Sequence, residues 1–262
     1  MGKYREVNDE LIALVAEHKS GKEISRILGL DYSTVHAKLR KLGLNLYNYH
    51  NELKFDNTVF DLIDSEEKAY WLGFLYADGN VGLKNNTVEL SLKGEDRNHL
   101  EKFRNFLKCR REVKISQSKI RDKTYARCRY SVTDSHFKER LVELGCVPKK
   151  SLILQFPDAS IFKEKNLILD FIRGYVDGDG CLGFTKSGRL QLEIIGTKEF
   201  LQGVLNFLSL PSTPHHKDKR TKNNTYFICV TCNKADYVAK LLYGKATVYL
   251  ERKYNRFCRA VQ

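Results

Sequence analysis

The sequence predicts an α+β protein with two pseudo-symmetric halves, each of element order αββαββα, and a small all-α domain before them. An internal repeat about 100 residues long and strand-like runs of alternating polar and apolar residues predict the halves. Helical spacing of apolar residues near the N-terminus predicts the small domain. We expect the small domain to span 1–45, a connector 46–64, and the two halves 65–155 and 156–262.

The composition is that of a folded and strongly basic chain. Hydrophobic residues make up 42% of the 262 residues and charged residues 29%. The formal net charge of +13 indicates a polyanionic partner, for which nucleic acid is the obvious candidate. No run approaches the roughly 18 apolar residues of a membrane helix, and the first residues lack the apolar stretch of a secretory signal. Seven scattered cysteines predict reduced thiols, and therefore an intracellular protein.

The N-terminal stretch is predicted to contain two helices. The run EISRILGLDYSTVHAKLRKLGL places one helix on each side of a tight turn at Gly29. We expect Asp31 or Ser33 to cap the second helix through a side-chain oxygen. The apolar residues that recur at helical spacing, and so predict one small core, are Ile24, Ile27, Leu28, Val35, Leu39 and Leu42.

This run resembles the helix-turn-helix family, in which the start of the second helix enters the major groove of DNA. The resemblance implies DNA contacts from Tyr32, Ser33, Thr34, His36 and Arg40. A helical hairpin used only for packing is the alternative. It is favoured by the low local charge, because residues 1–50 hold eight Lys/Arg and six Asp/Glu.

The internal repeat consists of YWLGFLYADG at 70–79 and FIRGYVDGDG at 171–180. Each segment predicts an apolar helix that contains a glycine and leads into Asp-Gly. The aspartates, Asp78 and Asp179, are 101 residues apart, so the repeat is long enough for a whole subdomain. After each segment the residue pattern predicts two strands, a helix, two more strands and a final helix.

Three of the predicted strands, 87–93, 125–132 and 189–195, alternate polar and apolar residues. Period two with one apolar face predicts antiparallel sheets covered by helices on one side only. The other face carries mixed hydrogen-bonding side chains, which suit the reading of base edges; an ordinary solvated face is the alternative. The residues that we expect to face DNA are Glu89, Ser91, Lys93, Tyr125, Arg127, Arg129, Arg189, Gln191 and Glu193.

Positive charge is concentrated in two predicted hairpins. Residues 108–129 hold nine Lys/Arg and two Asp/Glu, and KDKRTK at 217–222 adds a local charge of +3 in the matching hairpin. Basic hairpins at equivalent places predict a β saddle that holds phosphates on both sides. The expected contacts there are Lys119, Lys123, Lys217 and Arg220.

Small residues line one face of each repeated helix: Gly73 and Ala77 in the first, Gly174 and Gly178 in the second. Their i, i+4 spacing predicts a helix–helix contact that brings the two aspartates together. Two carboxylates so close repel each other unless cations lie between them, and oxygen ligands suit Mg²⁺, which activates water and stabilises a reacting phosphodiester. The alternative is that Asp-Gly only ends each helix. The expected metal-binding residues are Asp78, Asp179, Ala77 and Gly178.

The two segments, with LGCVPKKS at 144–151, resemble the LAGLIDADG homing endonucleases over residues 65–262. The resemblance implies a monomer, without a protein partner, that cuts both strands of a long and nearly symmetric double-stranded DNA site. It also implies a Mg²⁺ cofactor, with Mn²⁺ as a substitute and Ca²⁺ binding without cleavage. Such proteins belong to mobile elements, which suggests an intron, a phage-infected or bacterial cell, or an organelle.

Family members carry basic residues near each carboxylate. By resemblance, Lys150 and Lys253 are the candidate catalytic lysines beside Asp78 and Asp179. Lys149 and Arg252 are close rivals, Lys93 is a weaker candidate, and simple phosphate binding is the alternative role for each. The first segment departs from the family at Tyr76, which replaces an acid, and the second at Gly178, which replaces Ala. These departures could alter helix packing.

Two other functions fit the same pattern. A DNA-binding transcription regulator without catalysis can combine this core with a helix-turn-helix, although such proteins have generally lost the acids that are present here. An RNA maturase that helps an intron fold can share the motifs, because a basic saddle also binds A-form RNA. The N-terminal run favours DNA.

Overall fold

The computed structural model describes residues 2–17, 19–44, 55–120, 123–217 and 223–260. They form two compact units. The smaller unit is N-terminal and includes Cys109–Arg111, and the larger unit comprises Asp56–Lys108 and the chain from Glu112 onward. Among the described residues, no helix has both the length and the apolar character needed to cross a membrane.

The described residues of the smaller unit include the helices α1 (Gly2–Ala16), α2 (Gly21–Leu28) and α3 (Tyr32–Lys41). Ser20 begins α2 with a reciprocal capping box to Glu23. Gly29 ends α2 in the left-handed conformation, with φ of 62°, which glycine adopts without steric cost. The buried core of this unit consists of Leu11, Leu14, Ile24, Val35 and Leu39.

Three details of this unit differ from the sequence prediction. Ile27 is 48% exposed, because it lies on the outer face of α2, and Leu11 and Leu14 of α1 complete the core instead. Asp31 does occupy the N-cap of α3, but its side chain makes no capping hydrogen bond. Ser33 lies inside α3 and cannot be its N-cap.

The larger unit begins with helix α4 (Glu66–Asp78), strands β1 (Gly79–Val81) and β2 (Thr87–Lys93), and helix α5 (Arg97–Phe106). Strands β3 (Lys114–Ile120) and β4 (Lys123–Thr133) and helix α6 (Ser135–Glu143) follow. The prediction of two four-stranded antiparallel sheets is confirmed. The first has the order β1-β2-β4-β3.

The second sheet is preceded by helix α7 (Leu167–Asp179). Its strands are β5 (Gly180–Phe184), β6 (Leu190–Gly196), β7 (His215–His216) and β8 (Tyr226–Thr231), and α8 (Lys198–Phe207) lies between β6 and β7. The sheet order, β5-β6-β8-β7, follows the same scheme as the first sheet. Helices α9 (Cys232–Tyr243) and α10 (Glu251–Ala260) end the described chain.

Some predicted strands are shorter than the sequence indicates. The strand-like run GNVGLK at 79–84 predicts a longer β1 than forms, because β1 ends at Val81. The run REVKISQSKI at 111–120 likewise predicts a longer β3, which begins only at Lys114. In the second sheet, β7 is two residues long within the described residues.

Each sheet has one buried and one accessible face. In β2 the side chains of Val88, Leu90 and Leu92 are buried, whereas the residues between them are partly exposed. The alternation in β6 is similar, with Leu190, Leu192 and Ile194 buried. Helix α5 packs on β2 and β4, and α8 packs on β6 and β8. The helices therefore cover the apolar faces and leave the polar faces accessible.

Helices α4 and α7 make the most extensive contact between any two elements of the larger unit. The contact is close because it has glycine on both sides. A Cβ added at Gly73 would lie within 3.0 Å of the carbonyl group of Phe171, and one at Gly174 would lie equally close to the carbonyl group of Tyr70. The two backbones therefore approach to a separation that no other residue type allows.

Replacing one of these glycines should destabilise the larger unit. In Gly174→Ala the new methyl group meets backbone atoms of α4, which cannot move without separating the helices. We expect a loss of about 3 kcal/mol in the free energy of unfolding, measured by urea denaturation. Gly183→Ala is the matched control, because a Cβ there meets no atom within 4 Å, and it should change stability by no more than about 0.5 kcal/mol. Equal effects of the two substitutions would contradict the close-contact argument.

Candidate active site and nucleic-acid interface

The C-terminal ends of α4 and α7 lie side by side. Asp78 and Asp179 are the last residues of these helices, and the glycine after each one begins the first strand of a sheet. A Cβ added at Gly178 would overlap the methyl group of Ala77 and lie 3.3 Å from Oδ2 of Asp78. The structure therefore brings together Asp78, Asp179, Ala77 and Gly178, and it places Gly73 and Gly174 in the same helix contact.

Both carboxyl groups hold their protons unusually strongly. Burial, and then repulsion by Asp179, raises the pKa of Asp78 to about 6. Burial also raises the pKa of Asp179. The charges of Lys150 and Lys253 oppose both shifts without cancelling them. The ionised forms of the two carboxyl groups are therefore unfavourable at this site, and a bound cation would stabilise them.

The donor set fits a hard cation. Within the described residues, neither aspartate has a hydrogen-bond or ion-pair partner, so their oxygens are free to bind a ligand. No group of three or more His, Cys, Asp or Glu side chains that could hold a metal occurs in the same described ranges. Two carboxylates with remaining positions left to water and substrate oxygens are the pattern that Mg²⁺ prefers.

Two buried lysines bind the ends of these helices. Lys253 is 1% exposed and donates to the carbonyl oxygens of Val176 and Asp177 at 2.6 Å and of Gly180 at 2.7 Å. Burial lowers the pKa of Lys253 to about 8. Lys150 is also buried and donates to the carbonyl oxygen of Gly79. Each lysine thus places its ammonium group at a helix C-terminus. The free carbonyl groups there carry partial negative charge and stabilise the ammonium group.

The rival basic residues are placed differently. Lys149 is exposed and has a left-handed backbone, with φ of 56°. The guanidinium group of Arg252 forms an ion pair with Asp96, with Nε 3.1 Å from the carboxylate. Lys93 is 76% exposed at the end of β2, and its ammonium group lies 3.9 Å from Glu95. None of these three side chains contacts the end of α4 or α7 as Lys150 and Lys253 do.

A small cavity adjoins the carboxylates. It has a volume of about 220 Å³, and its lining includes Lys150, Asp179, Tyr175 and Thr225. Residues of both helix ends and of the second sheet thus share one solvent-accessible space. A reacting group bound there would lie between a lysine of one half and the aspartate of the other.

Sequence reasoning missed a buried polar network beneath the site. Asp177, at the seventh position of the second repeat segment, accepts hydrogen bonds from the hydroxyl groups of Tyr70 at 2.8 Å and Tyr243 at 2.7 Å. The backbone N–H of Leu250 donates to it at 2.7 Å. The hydroxyl group of Tyr70 also contacts His99, whose pKa burial lowers to about 3. An acid inside an apolar helical run was the one signal in the sequence that could have revealed this network.

The accessible face of the first sheet carries the polar residues expected there. The antiparallel register pairs Ser91 with Arg129 and Lys93 with Arg127. Arg129 forms an ion pair with Glu89 at 2.7 Å, and Arg127 donates to the hydroxyl group of Ser91 at 3.3 Å. Tyr125 is 47% exposed and, with Arg127, lines a groove of about 670 Å³ on this face.

The remaining candidate DNA contacts are less closely grouped. Gln191 and Glu193 lie half-buried in β6, and Arg189 precedes β6 in an exposed turn. Lys217 follows β7 and is exposed. Lys119 and Lys123 lie on β3 and β4, but their side chains fall outside the described part of the structure, as does the whole of Arg220.

In the smaller unit, the candidate residues lie on α3. Tyr32, Ser33, Thr34 and Arg40 are exposed. His36 is half-buried, and its ring centroid lies 4.4 Å from that of Tyr32. The exposed surface at the start of α3 is therefore available to a ligand.

Comparison with known proteins gives a likeness of fold. No protein-family model and no curated protein matches the chain. Among solved structures, the homing endonuclease I-WcaI bound to its DNA recognition sequence has a TM-score of 0.51, with 12% identity over 74% of this chain and 87% of that one. This likeness shows that the chain has the fold of that homing endonuclease.

Two further structures are similar at lower scores. The LAGLIDADG meganuclease I-AabMI, bound to uncleaved DNA, has a TM-score of 0.47, with 16% identity over 72% of this chain and 88% of that one. The LAGLIDADG homing endonuclease I-GzeII, in complex with its DNA target, has a TM-score of 0.46, with 14% identity over 74% and 88%.

The raised pKa of Asp78 predicts a pH-dependent cost to stability. The folded protein binds this proton more tightly than the unfolded chain, so stability is lost as the pH rises from about 4 to about 6. Asp78→Asn removes that cost, and in a chelator at about pH 8 the variant should be more stable than the unaltered protein by about 3 kcal/mol. Near pH 4 the difference should disappear.

Urea unfolding at both pH values measures this difference. Glu139→Gln, which neutralises an exposed carboxylate without a described partner, is the control and should have no comparable effect. A variant that is less stable than the unaltered protein at about pH 8 would show that Asp78 is not held in an unfavourable charged state.

Proposed function

We propose that this protein is a LAGLIDADG homing endonuclease that makes a Mg²⁺-dependent double-strand break at a specific DNA site. One observation carries the proposal: two carboxylates without protein partners, Asp78 and Asp179, at adjoining helix ends. A structural carboxylate pair would be held by direct hydrogen bonds and ion pairs. Among the described residues these two carboxylates have the charges of Lys150 and Lys253 nearby but no such direct partner, so their oxygens are open to a cation.

The proposed chemistry is hydrolysis of one phosphodiester bond in each strand. Asp78 and Asp179 would hold the cation, which would supply charge neutralisation at the phosphate and a more acidic bound water. Lys150 and Lys253 place positive charge beside the carboxylates and stabilise the negative charge that develops on the phosphate oxygens. One aspartate and one lysine then serve each strand.

The proposed DNA interface consists of the accessible faces of the two sheets. Arg127, Arg129 and Tyr125 offer hydrogen-bonding and stacking groups on the first face, and Gln191 and Glu193 offer polar groups on the second. The matching sheet orders support pseudo-symmetric halves in a monomer, and such halves would contact a long, nearly symmetric site. The basic hairpins beside the sheets would contact phosphates, as the net charge of +13 suggests.

The aspartates should be essential for cutting and dispensable for binding. We expect Asp78→Asn and Asp179→Asn each to abolish double-strand cleavage of a target selected from a DNA library, because each removes a ligand charge. DNA affinity should change by less than about threefold, since neither residue lies on the sheet faces. Gel analysis of cleavage with Mg²⁺ and with a chelator, beside a binding assay, measures both effects.

Glu139→Gln is again the control and should cut normally. Normal double-strand cleavage by Asp78→Asn would show that the catalytic assignment is wrong. Tight and specific DNA binding without cleavage by the unaltered protein would favour a transcription regulator, and preferential binding of structured RNA would favour a maturase.

For the smaller unit we propose a helix-turn-helix that extends the recognised site on one flank. The exposed residues at the start of α3 and the left-handed turn at Gly29 support this role. Both aspartates and both sheets belong to the larger unit, so the smaller unit would add affinity without chemistry.

Deleting residues 1–45 should therefore leave cleavage intact and weaken binding by one to a few factors of ten. This range corresponds to a small number of base contacts, each worth about 1–3 kcal/mol. Footprinting of the full and shortened proteins measures the difference, and the shortened protein should lose protection on one flank only. Identical footprints would assign the smaller unit to packing or to another partner.

A further inference from the structure

A buried guanidinium group joins both central helices to the C-terminal part of the chain. Arg173, in the middle of α7, is 2% exposed. It donates to Glu66 at 2.8 Å, to Asp170 at 2.7 Å, and to the carbonyl oxygens of Leu242 at 2.9 Å and Val248 at 3.0 Å. The guanidinium group therefore forms hydrogen bonds to α4, to α7 and to two backbone carbonyl groups in the C-terminal part of the chain.

Glu66 extends this network from the first turn of α4. Its carboxylate accepts from the backbone N–H of Thr247 at 2.7 Å, from the hydroxyl group of Thr247 at 2.8 Å and from the N–H of Val248 at 3.3 Å. Segment 247–250 is thus fastened by the same ion pair, Arg173–Glu66, that joins the two helices. The Arg173 end of this ion pair is almost fully buried and the Glu66 end is partly exposed, and the low dielectric around Arg173 strengthens the attraction.

Segment 247–250 leads directly to Lys253. The N–H of Leu250 donates to the buried carboxylate of Asp177, and the carbonyl oxygen of Leu250 accepts from the N–H of Lys253 at 3.0 Å. The short stretch from Thr247 to Lys253 is therefore held by hydrogen bonds at both of its ends. This stretch connects the Arg173–Glu66 pair to the residue whose ammonium group binds the end of α7.

Lys150 is supported by different contacts. The residue of α4 that corresponds to Arg173 is Leu72, which is fully buried and apolar. The chain before Lys150 is held by the Tyr76 hydroxyl group, which donates to the carbonyl oxygen of Leu144, and by the thiol of Cys146, which lies 3.4 Å from the carbonyl oxygen of Leu75. Neither Glu66 nor Arg173 makes a described hydrogen bond to this part of the chain.

We propose that the Arg173–Glu66 pair positions Lys253 and thereby supports the cleavage of only one of the two DNA strands. The inference rests on the proposed endonuclease function. Arg173 and Glu66 are positioning residues, because they act through segment 247–250 and do not themselves reach the carboxylates. The two lysines are then positioned by different interactions. The ion pair positions Lys253 for one strand, and apolar, thiol and hydroxyl contacts position Lys150 for the other.

The test is strand-resolved cleavage by the full chain with Mg²⁺, on a target whose two strands carry different labels. Lys253→Met and Lys150→Met first identify the strand that depends on each lysine. Glu66→Gln should then slow the Lys253-dependent strand by about tenfold, in the range typical of supporting residues around a metal site, and the other strand by less than about twofold. Nicked DNA should accumulate.

Two further variants separate positioning from general stability. Thr247→Val keeps the side-chain shape, removes one hydrogen bond at an exposed position, and should bias the strands in the same direction by a smaller factor. Glu67→Gln makes the same chemical change one residue along α4, at an exposed side chain without a described partner, and should leave both strands unaffected.

Three outcomes would overturn the inference. In the first, Glu66→Gln and Thr247→Val slow the cleavage of both strands equally. In the second, these variants slow the Lys150-dependent strand more than the other. In the third, Lys253→Met slows the cleavage of both strands equally. If the unaltered protein cuts neither strand of any selected target, the proposed function itself fails and the inference falls with it. That result is distinguishable, because it needs no variant.

Discussion

The close approach of α4 and α7 is the constraint on which the rest of the structure depends. Gly73 and Gly174 let the two backbones meet, and the last turns of the helices then lie side by side. Because a sheet begins at the residue after each helix, the same contact fixes where the two sheets start. Packing between two helices thus determines both the separation of the carboxylates and the placement of the accessible sheet faces.

The interior of this contact is unusually polar. Asp177 and Arg173 are both almost fully buried in α7, and each is surrounded by several hydrogen-bonding partners. Burying such groups is unfavourable unless every partner is in place, so they make the arrangement of the helices specific more than they make it stable. The carboxylates at the helix ends, Asp78 and Asp179, lack such partners among the described residues. Asp177 and Arg173 therefore have a structural role, whereas the two carboxylates are free to bind a ligand.

Local patterns in the sequence were sufficient for the elements and for the helix contact. The i, i+4 spacing of Gly73 and Ala77 and the alternation along 87–93 reflect neighbours within one element, so they can be read without a structure. The network around Asp177 could not be predicted, because Tyr70 lies 107 residues away and only the folded chain brings them together. The prediction that Ile27 lies in the core was wrong for a related reason. Leu11 and Leu14 of α1 fill that part of the core instead.

The hydrogen bond between Tyr70 and Asp177 has a consequence for how the two repeats can be rearranged. In a symmetric dimer of the second repeat alone, the position of Tyr70 would be taken by Phe171, which has no hydroxyl group to donate. In a dimer of the first repeat alone, the position of Asp177 would be taken by Tyr76, which has no carboxylate to accept from the hydroxyl group of Tyr70. Each repeat segment therefore supplies a hydrogen-bonding group that the other segment lacks, and the two segments are not interchangeable.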